Sequence, residues 1–288
     1  MRRAFRCAAF SGWPMPRNER GAAPAQVRVF RYDGGPPGPV VSREIAEEVA
    51  VEIVFGGVPF AVMMATPQDL EDLVYGFALT EGAIGAAAEI RAIEVKPNPR
   101  SFRAEVTLTG AAMSAHLARK RAISGRTGCG ICGVEDLAHL PQAKRRLQAP
   151  RKIAPKAIGV ALAGLEAAQP LNARTRAVHA AAWCSEDGEI LCAREDVGRH
   201  NALDKLIGAL LREGMDSEAG FVLISSRCSF EMVVKTAAFG AGTLVSVSAP
   251  TTLALETAAA CGVELIAVAR ADGALAFNTT DWRQGAAA

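Results

Sequence analysis

The stretch FVLISSRCSFEMVVKTAAFGAGTLVSV, residues 221–247, decides the fold class of the larger part of this chain. It opens on a short apolar run, continues through a run with helical periodicity (230–239) and returns to a second short apolar run (243–247). A strand, a helix and a strand in this order are typical of a layered α/β domain. The same alternation extends over residues 151–284, where we expect helices packed on a mixed sheet.

The N-terminal half carries a different pattern. Residues 49–65 are rich in Val, Ile, Phe and Met around Gly56-Gly57, which predicts a hairpin of two buried strands. Thr66 and Pro67 predict the start of a helix, with Thr66 as its cap. We divide the chain into a flexible tail (1–25), an N-terminal α+β region (26–122), a cysteine loop with a connector (123–150) and the C-terminal α/β domain (151–284).

The composition excludes several classes of protein. Half of the 288 residues are hydrophobic and 22% are charged, an ordinary globular profile, and the net charge of +2 gives no argument for a nucleic-acid partner. No stretch approaches the roughly 20 apolar residues of a membrane span, and no long apolar run follows the N-terminal arginines. Seven scattered cysteines do not resemble a disulfide framework. We therefore expect a soluble cytoplasmic protein without nucleic-acid or membrane partners.

Two of the seven cysteines form a close pair, Cys129-Gly-Ile-Cys132, in a glycine-rich stretch. The reactive species of a cysteine is its thiolate, whose pKa falls near positive charge, and Arg126 and the basic run 119–121 lie close in sequence. Three interpretations remain open: a redox pair, half of a zinc site, and a carrier of persulfide sulfur. The alternative without function is two small residues in a turn. No second pair at zinc-finger spacing is present, which argues against a zinc site without excluding it, and we assign no metal ligands.

The other cysteines of the second half of the chain lie singly in apolar segments or turns. We predict that Cys184, Cys192 and Cys261 belong to the core and that Cys228 is a packed thiol rather than a catalyst. His179 enters a strand and is predicted with equal weight as a structural or a site-lining residue.

Polar residues follow three of the predicted strands, in the runs REDVGRHNALDK (194–205), SSRCS (225–229) and SAPTT (248–252). Ligands of open α/β sheets bind at strand ends, and the free N–H groups of a helix N-terminus, here with Asn201 as the expected cap, suit an anion. The alternative is a capped helix with ordinary ion pairs. We predict a groove for an anionic ligand, lined by Arg199, His200, Lys205, Ser226 and Arg227.

Two of these motifs together resemble a known family. TGCGICGVE (127–135) and REDVGRHNALDK (194–205) are similar to the formate dehydrogenase accessory sulfurtransferases, often called FdhD. The resemblance covers about residues 52–279, most of the chain. Further similar stretches are MATPQDLEDL (64–73), TEG (80–82), SSR (225–227) and SAPTTLA (248–254).

The resemblance implies an enzyme, a sulfurtransferase. Its members take sulfur from a cysteine desulfurase, carry it as a persulfide and deliver it to the bis-molybdopterin guanine dinucleotide molybdenum cofactor of formate dehydrogenase. Carried over, Cys129 looks like the persulfide-bearing cysteine and Cys132 like its partner in the relay. A stretch that contacts the guanine dinucleotide cofactor in the family looks like Val268, Ala269, Arg270, Ala271, Asp272 and Gly273.

The resemblance also implies homodimers and a C-terminal domain of cytidine-deaminase-like, three-layer α/β fold. The zinc signature of the deaminases, H-x-E with P-C-x-x-C, is not found in this sequence, so deamination is not expected. Two further classes stay open: a binding module that chaperones the cofactor or docks the dehydrogenase, and a nucleotide-processing enzyme on a deaminase-like scaffold.

Overall fold

The computed structural model describes residues 21–33, 35–122, 147 and 152–277, and of residues 118–122 the backbone only. The chain begins, within this part, with a ribbon of two antiparallel strands, β1 (Ala22–Arg28) and β2 (Val40–Ala46). Residues 22–25 were predicted in the flexible tail, and this prediction is wrong. Small residues and a proline hide the apolar alternation of β1, although Ala22 is buried beside Leu171 and Val178.

A four-stranded sheet follows, in the order β4-β3-β6-β5. The predicted hairpin is present, and its turn is made by Gly56 and Gly57, whose φ angles of 54° and 81° suit a two-residue hairpin loop. The helices α1 (Leu70–Thr80) and α2 (Gly110–Ala122) share a hydrophobic core with this sheet. Its strands are β3 (Val49–Phe55), β4 (Val58–Ala65), β5 (Ile90–Asn98) and β6 (Ser101–Leu108).

Helix α1 begins later than predicted, and Thr66 does not cap it. Its N-cap is Asp69, which adopts the left-handed conformation that aspartate tolerates. The hydroxyl of Thr66 lies instead 2.9 Å from Oδ2 of Asp196, in the other half of the chain. A tertiary contact has therefore overridden the local capping pattern.

The second sheet has six strands in the order β12-β11-β10-β9-β7-β8. The strands β9, β10 and β11 are parallel to one another, whereas the other neighbours pair antiparallel. This confirms the expectation of a mixed sheet. Its strands are β7 (His179–Ser185), β8 (Ile190–Asp196), β9 (Gly220–Ile224), β10 (Thr243–Ser246), β11 (Glu264–Arg270) and β12 (Gly273–Ala276).

Helices cover both faces of this sheet. Successive side chains of a strand point to opposite faces, so a single strand contributes to two separate cores. Ala181 and Trp183 of β7 pack in a core with three helices, whereas Ala182 and Cys184 pack in a second core with α3 (Pro155–Leu165). The fold class, α/β in this half and α+β overall, is confirmed. The helices of the first core are α5 (Arg199–Arg212), α6 (Phe230–Phe239) and α7 (Thr252–Cys261).

One short helix, α4 (Pro170–Thr175), was not predicted. Its six residues are too few to show an apolar period. No helix in the described ranges is both long and apolar enough for a bilayer crossing.

The two sheets are joined by a close crossing of α1 and α5 at two glycines. A Cβ atom on Gly76 would overlap the carbonyl oxygen of Asp204, and a Cβ on Gly208 would overlap that of Asp72, far inside the 3.0 Å that real Cβ atoms keep. Both glycines are therefore required by the approach of one helix backbone to the other.

Ion pairs flank this crossing on both sides. Asp72 of α1 lies 2.8 Å from Nη2 of Arg194 and 2.5 Å from Nη1 of Arg212. Asp204 of α5 lies 2.8 Å from Nζ of Lys235, and both side chains are almost completely buried. The crossing therefore buries charge as well as backbone, and each charge has a partner.

Candidate functional site

The candidate site lies at one edge of the six-stranded sheet. The strands β8, β9, β10 and β11 run in the same direction, opposite to that of β7, so their C-terminal ends reach this edge together. The connection from β9 to α6 is paired with that from β10 to α7, because the N–H of Cys228 donates to Ala249 O and the N–H of Thr251 to Cys228 O. We call residues 196–200, 225–229, 246–251 and 268–273 the strand-end site.

Three helices start at the strand-end site. The N-cap residue of α7, Thr251, accepts a hydrogen bond from the N–H of Ala254. The N-cap residues of α5 and α6, Gly198 and Ser229, provide no side-chain cap. Free N–H groups at a helix N-terminus bind anions, so the local structure suits the anionic ligand that the sequence predicts.

His200 and Glu231 connect the first turns of α5 and α6, with 2.9 Å between Nε2 and Oε2. Burial acts to raise the pKa of Glu231, but the hydrogen bond and charge of His200, together with the charges of Lys235 and Arg199, outweigh burial, and the pKa is lowered. Burial, assisted by the charge of Arg199, lowers the pKa of His179, which is therefore uncharged at neutral pH. His179 is thus a neighbour of the predicted residues Arg199 and His200, which favours a site-lining role.

Apart from Nε2 of His200, which lies beside Glu231, two polar atoms of the strand-end site are buried without a hydrogen-bond partner among the described residues. They are Nε of Arg199 and Oγ of Ser229. Buried polar atoms in folded proteins nearly always have a partner. Both atoms belong to the first residues of a helix that starts at the site, and a ligand there is a natural partner for them.

Lys205 lies beneath the site rather than on its surface. Its side chain is fully buried, with Nζ 2.6 Å from Oδ2 of Asp196, and it donates to the carbonyl oxygen and the hydroxyl of Thr66. All three protons of the ammonium group are therefore used within the protein. The expectation that Lys205 contacts the anionic ligand directly is therefore wrong. Lys205 supports the site from below instead. Asn201 likewise is no cap: its amide donates to Met64 O and Asp196 Oδ1.

Ser226 and Arg227 both lie in the turn after β9, but their environments differ. Ser226 is buried, its hydroxyl donates to Arg227 O, and its carbonyl oxygen accepts from the hydroxyl of Ser246 at 2.8 Å. Arg227 is exposed. Ser226 therefore shapes the turn, and Arg227 is the residue of the two that is free to meet a ligand from solution.

The predicted segment 268–273 is located at the same edge of the sheet. Val268 has a φ of 53°, an outlier for a β-branched residue, and its N–H donates to Ser248 O. The register of β11 and β12 shifts between Ala267 and Arg270, so Val268 belongs to a bulge. Arg270 donates to the carbonyl oxygen of Val247. The bulge thus fixes residues 268–270 beside the end of β10, and Ala271 and Asp272 follow as an exposed turn before Gly273, the exposed first residue of β12.

Two residues of the site, Asp196 and Glu231, were missed in the sequence analysis. Asp196 was quoted within the motif 194–205 but was given no role of its own. An aspartate between a strand and Val197-Gly198 is a recognisable signal, because it can accept from the backbone of the following turn. Glu231 offers no such signal, since acidic residues are common in the first turn of any helix.

The predicted catalytic residues Cys129 and Cys132 lie outside the described residues. The four cysteines that are described, Cys184, Cys192, Cys228 and Cys261, are buried and are not part of a disulfide, which confirms the prediction that their side chains are packed inside the fold. Burial raises the pKa of both Cys184 and Cys228 to about 12. These thiols are packed side chains without the thiolate character of a sulfur nucleophile.

We expect these four thiols to resist alkylation in the native protein. A thiol with a pKa of about 12 is ionised in roughly one molecule in ten thousand at pH 8, and burial also blocks access. The measurement is iodoacetamide labelling at pH 8 followed by peptide mass mapping, with protein unfolded in guanidinium as the control. Labelling of Cys228 at the unfolded rate would contradict the burial described.

The mixed sheet, its two helical layers and the helix N-termini at one edge define a layered α/β protein with a candidate anion-binding edge. The sequence model of the FdhD/NarQ family matches residues 46–282. The sulfur carrier protein FdhD of Bordetella petrii is 44% identical over 256 residues, which cover 87% of this chain and 91% of that protein. That of Chromobacterium violaceum is 44% identical over 265 residues, 91% of this chain and 97% of that protein. The chain belongs to the FdhD/NarQ family, which confirms the resemblance.

The fold is also similar to a solved structure. A crystal structure described as that of a formate dehydrogenase accessory protein from Desulfotalea psychrophila matches with a TM-score of 0.69 and 23% sequence identity. The match covers 90% of this chain and 98% of that one. It supports the arrangement of sheets and helices over nearly the whole molecule.

Proposed function

We propose that this protein is a sulfurtransferase that carries persulfide sulfur on the pair Cys129 and Cys132. The donor is a cysteine desulfurase, and the acceptor is the bis-molybdopterin guanine dinucleotide molybdenum cofactor of formate dehydrogenase. The relatives that are 44% identical are named sulfur carriers, and the fold neighbour is described as a formate dehydrogenase accessory protein. Together, the two descriptions support a role for this protein in sulfur transfer for formate dehydrogenase.

The observation that carries the proposal is the burial of the four described cysteines. Cys184, Cys192, Cys228 and Cys261 are held in the core, and burial raises the pKa values of Cys184, Cys228 and Cys261. Of the three cysteines that remain, Cys7, Cys129 and Cys132, the last two alone form a close pair. Sulfur chemistry on this chain is therefore best assigned to that pair.

The proposed transfer is a thiol–persulfide exchange. The thiolate of Cys129 attacks the outer sulfur of the donor persulfide, the sulfur–sulfur bond of the donor breaks, and the donor cysteine leaves as a thiolate that takes up a proton. A persulfide and a thiol are present before and after the step, so no external oxidant or reductant is needed. In the relay Cys132 accepts the outer sulfur from Cys129 by a second exchange of the same kind.

The strand-end site suits the guanine dinucleotide part of the acceptor. The uncapped N-termini of α5 and α6, the exposed guanidinium of Arg227 and the unpartnered atoms of Arg199 and Ser229 all favour phosphate oxygens. The uncharged imidazole of His179 is available as a hydrogen-bonding group beside them. The bulge at Val268 and the turn up to Gly273 complete the same edge.

The finer properties implied by the resemblance are part of the proposal. The mixed sheet with helices on both faces supports a cytidine-deaminase-like C-terminal domain. We further propose a cytoplasmic homodimer with formate dehydrogenase as its client.

The test of the carrier role is the intact mass of the protein after incubation with a cysteine desulfurase and cysteine. We expect the wild type to gain the mass of at least one sulfur atom, removable by dithiothreitol, and the variant Cys129→Ala/Cys132→Ala to gain none. The two single variants identify the first acceptor. Cys261→Ala, which alters a buried thiol, serves as the matched control and is expected to gain sulfur as the wild type does.

Equal sulfur gain by the double variant would refute the assignment to this pair. No gain by the wild type, with an active desulfurase, would favour a binding module that holds the cofactor or docks the dehydrogenase.

A further inference from the structure

Asp196, at the end of β8, is fully buried, and both of its carboxylate oxygens accept hydrogen bonds. Its Oδ1 accepts from the N–H of Gly198 at 2.8 Å and from the amide of Asn201 at 3.1 Å. Its Oδ2 accepts from the N–H and the hydroxyl of Thr66, at 3.0 and 2.9 Å, and lies 2.6 Å from Nζ of Lys205. All of these donors to the carboxylate of Asp196 belong to the protein itself, so the carboxylate acts within the fold.

The two oxygens of this carboxylate serve two different parts of the fold. The Oδ1 atom holds the N-cap and the first turn of α5, whereas Oδ2 holds Thr66, which follows β4 of the other sheet. Lys205 strengthens the same connection, because its ammonium also donates to the carbonyl oxygen of Thr66. The start of α5 is thereby fixed to the N-terminal sheet, some 130 residues away in sequence.

The residues that Asp196 holds in place are those of the strand-end site. Arg199 and His200 directly follow Gly198, and His200 pairs with Glu231 at the start of α6. A binding group must be held within a fraction of an ångström by the residues behind it if it is to contribute to affinity. One buried carboxylate is thus bonded to the start of α5, and the start of α5 in turn contacts the start of α6.

We propose that Asp196 is the positioning residue of the strand-end site: it holds residues 197–201 against Thr66 and so places Arg199 and His200 for an anionic ligand. The ligand part of this inference rests on the proposed function. The mechanical part, that the turn 197–201 depends on Asp196, does not.

The chain contains a matched control for this proposal. Lys235 and Asp204 form a second buried ion pair, with Nζ 2.8 Å from Oδ2, and Asp204 belongs to α5 just as Lys205 does. The hydrogen bonds of this pair involve Thr80 rather than the turn 197–201. Neutralising it removes the same kind of buried charge without touching the proposed positioning contacts.

The experiment compares Asp196→Asn/Lys205→Met with Asp204→Asn/Lys235→Met in the full chain. Hydrogen–deuterium exchange with mass spectrometry follows the peptides that contain residues 197–201 and 64–68. Isothermal titration with guanosine diphosphate, a fragment of the predicted acceptor, measures affinity. We expect the first variant to exchange about tenfold faster at the turn and to bind guanosine diphosphate about tenfold more weakly. The second variant should match the wild type at the turn and in affinity within about twofold.

Unchanged exchange at residues 197–201 in the first variant would overturn the proposal, as would unchanged affinity in a protein that binds the nucleotide. A wild type that does not bind guanosine diphosphate would count against the proposed acceptor site, and the exchange result would then decide on Asp196 by itself. If the first variant does not fold, Thr66→Val replaces it, since this change removes the hydroxyl that donates to Asp196 and accepts from Lys205 but keeps the ion pair. The same increase in exchange, smaller in size, is then expected, and its absence would overturn the proposal.

Discussion

Gly208→Ala is expected to lower the free energy of unfolding by about 3 kcal/mol or more, enough to prevent stable folding of a marginal protein. The added Cβ would overlap the carbonyl oxygen of Asp72 in α1. Neither backbone can move aside cheaply, because Asp72 is also held by Arg194 and Arg212. The measurement is urea unfolding followed by circular dichroism, and Gly76→Ala should behave in the same way because its Cβ would overlap Asp204 O.

Gly159→Ala is the control for this prediction. Gly159 lies inside α3, and a Cβ there would extend into open space. Alanine is the better helix former, so the free energy of unfolding of this variant should rise by about 0.5–1 kcal/mol. A Gly208→Ala protein as stable as the wild type would show that α1 and α5 are farther apart than described.

The second large effect is expected for Lys235→Met. This change leaves the carboxylate of Asp204 buried without its ammonium partner, which typically reduces the free energy of unfolding by about 3–5 kcal/mol. Burial already raises the pKa of Asp204, and the variant also loses the attraction of Lys235. The carboxyl group of the folded variant therefore binds a proton more readily than that of the unfolded chain. The loss of stability should be largest near pH 7 and shrink as the pH falls.

The matching experiment is urea unfolding at neutral and mildly acidic pH, with Asp204→Asn/Lys235→Met as the partner variant. Replacing both members of a buried pair removes the unpaired charge, so this double variant should recover most of the stability. A double variant less stable than Lys235→Met at pH 7 would argue against an ionised Asp204 in the single variant.

The elements that depend on local pattern were predicted well from the sequence. The hairpin of β3 and β4 has its turn at Gly56-Gly57, and α6 begins and ends at the residues predicted from its helical periodicity, 230 and 239. The ribbon strand β1 was missed because its small residues show no alternation. The start of α1 was misplaced because the hydroxyl of Thr66 bonds to a carboxylate 130 residues away. No local rule contains that partner.

The candidate site was predictable in outline and not in detail. The rule that ligands bind at strand ends selected Arg199, His200 and Arg227, and the structure places all three at one edge of the sheet. The same rule could not tell that Lys205, about one and a half helical turns further along α5, is buried against Asp196. The conformation of Val268 likewise depends on its bond to Ser248 of another strand end.

The crossing of α1 and α5 has a consequence for the synthesis of the chain. Asp72 finds its partner Arg212 140 residues later. At about 5–20 residues per second, the ribosome needs roughly 7–28 s to make that interval. During this time α1 and its sheet have been made, but the helix that covers Gly76 does not yet exist. We therefore expect the nascent N-terminal half to be open to chaperones until translation has passed α5, and slow codons in this interval to lengthen its exposure.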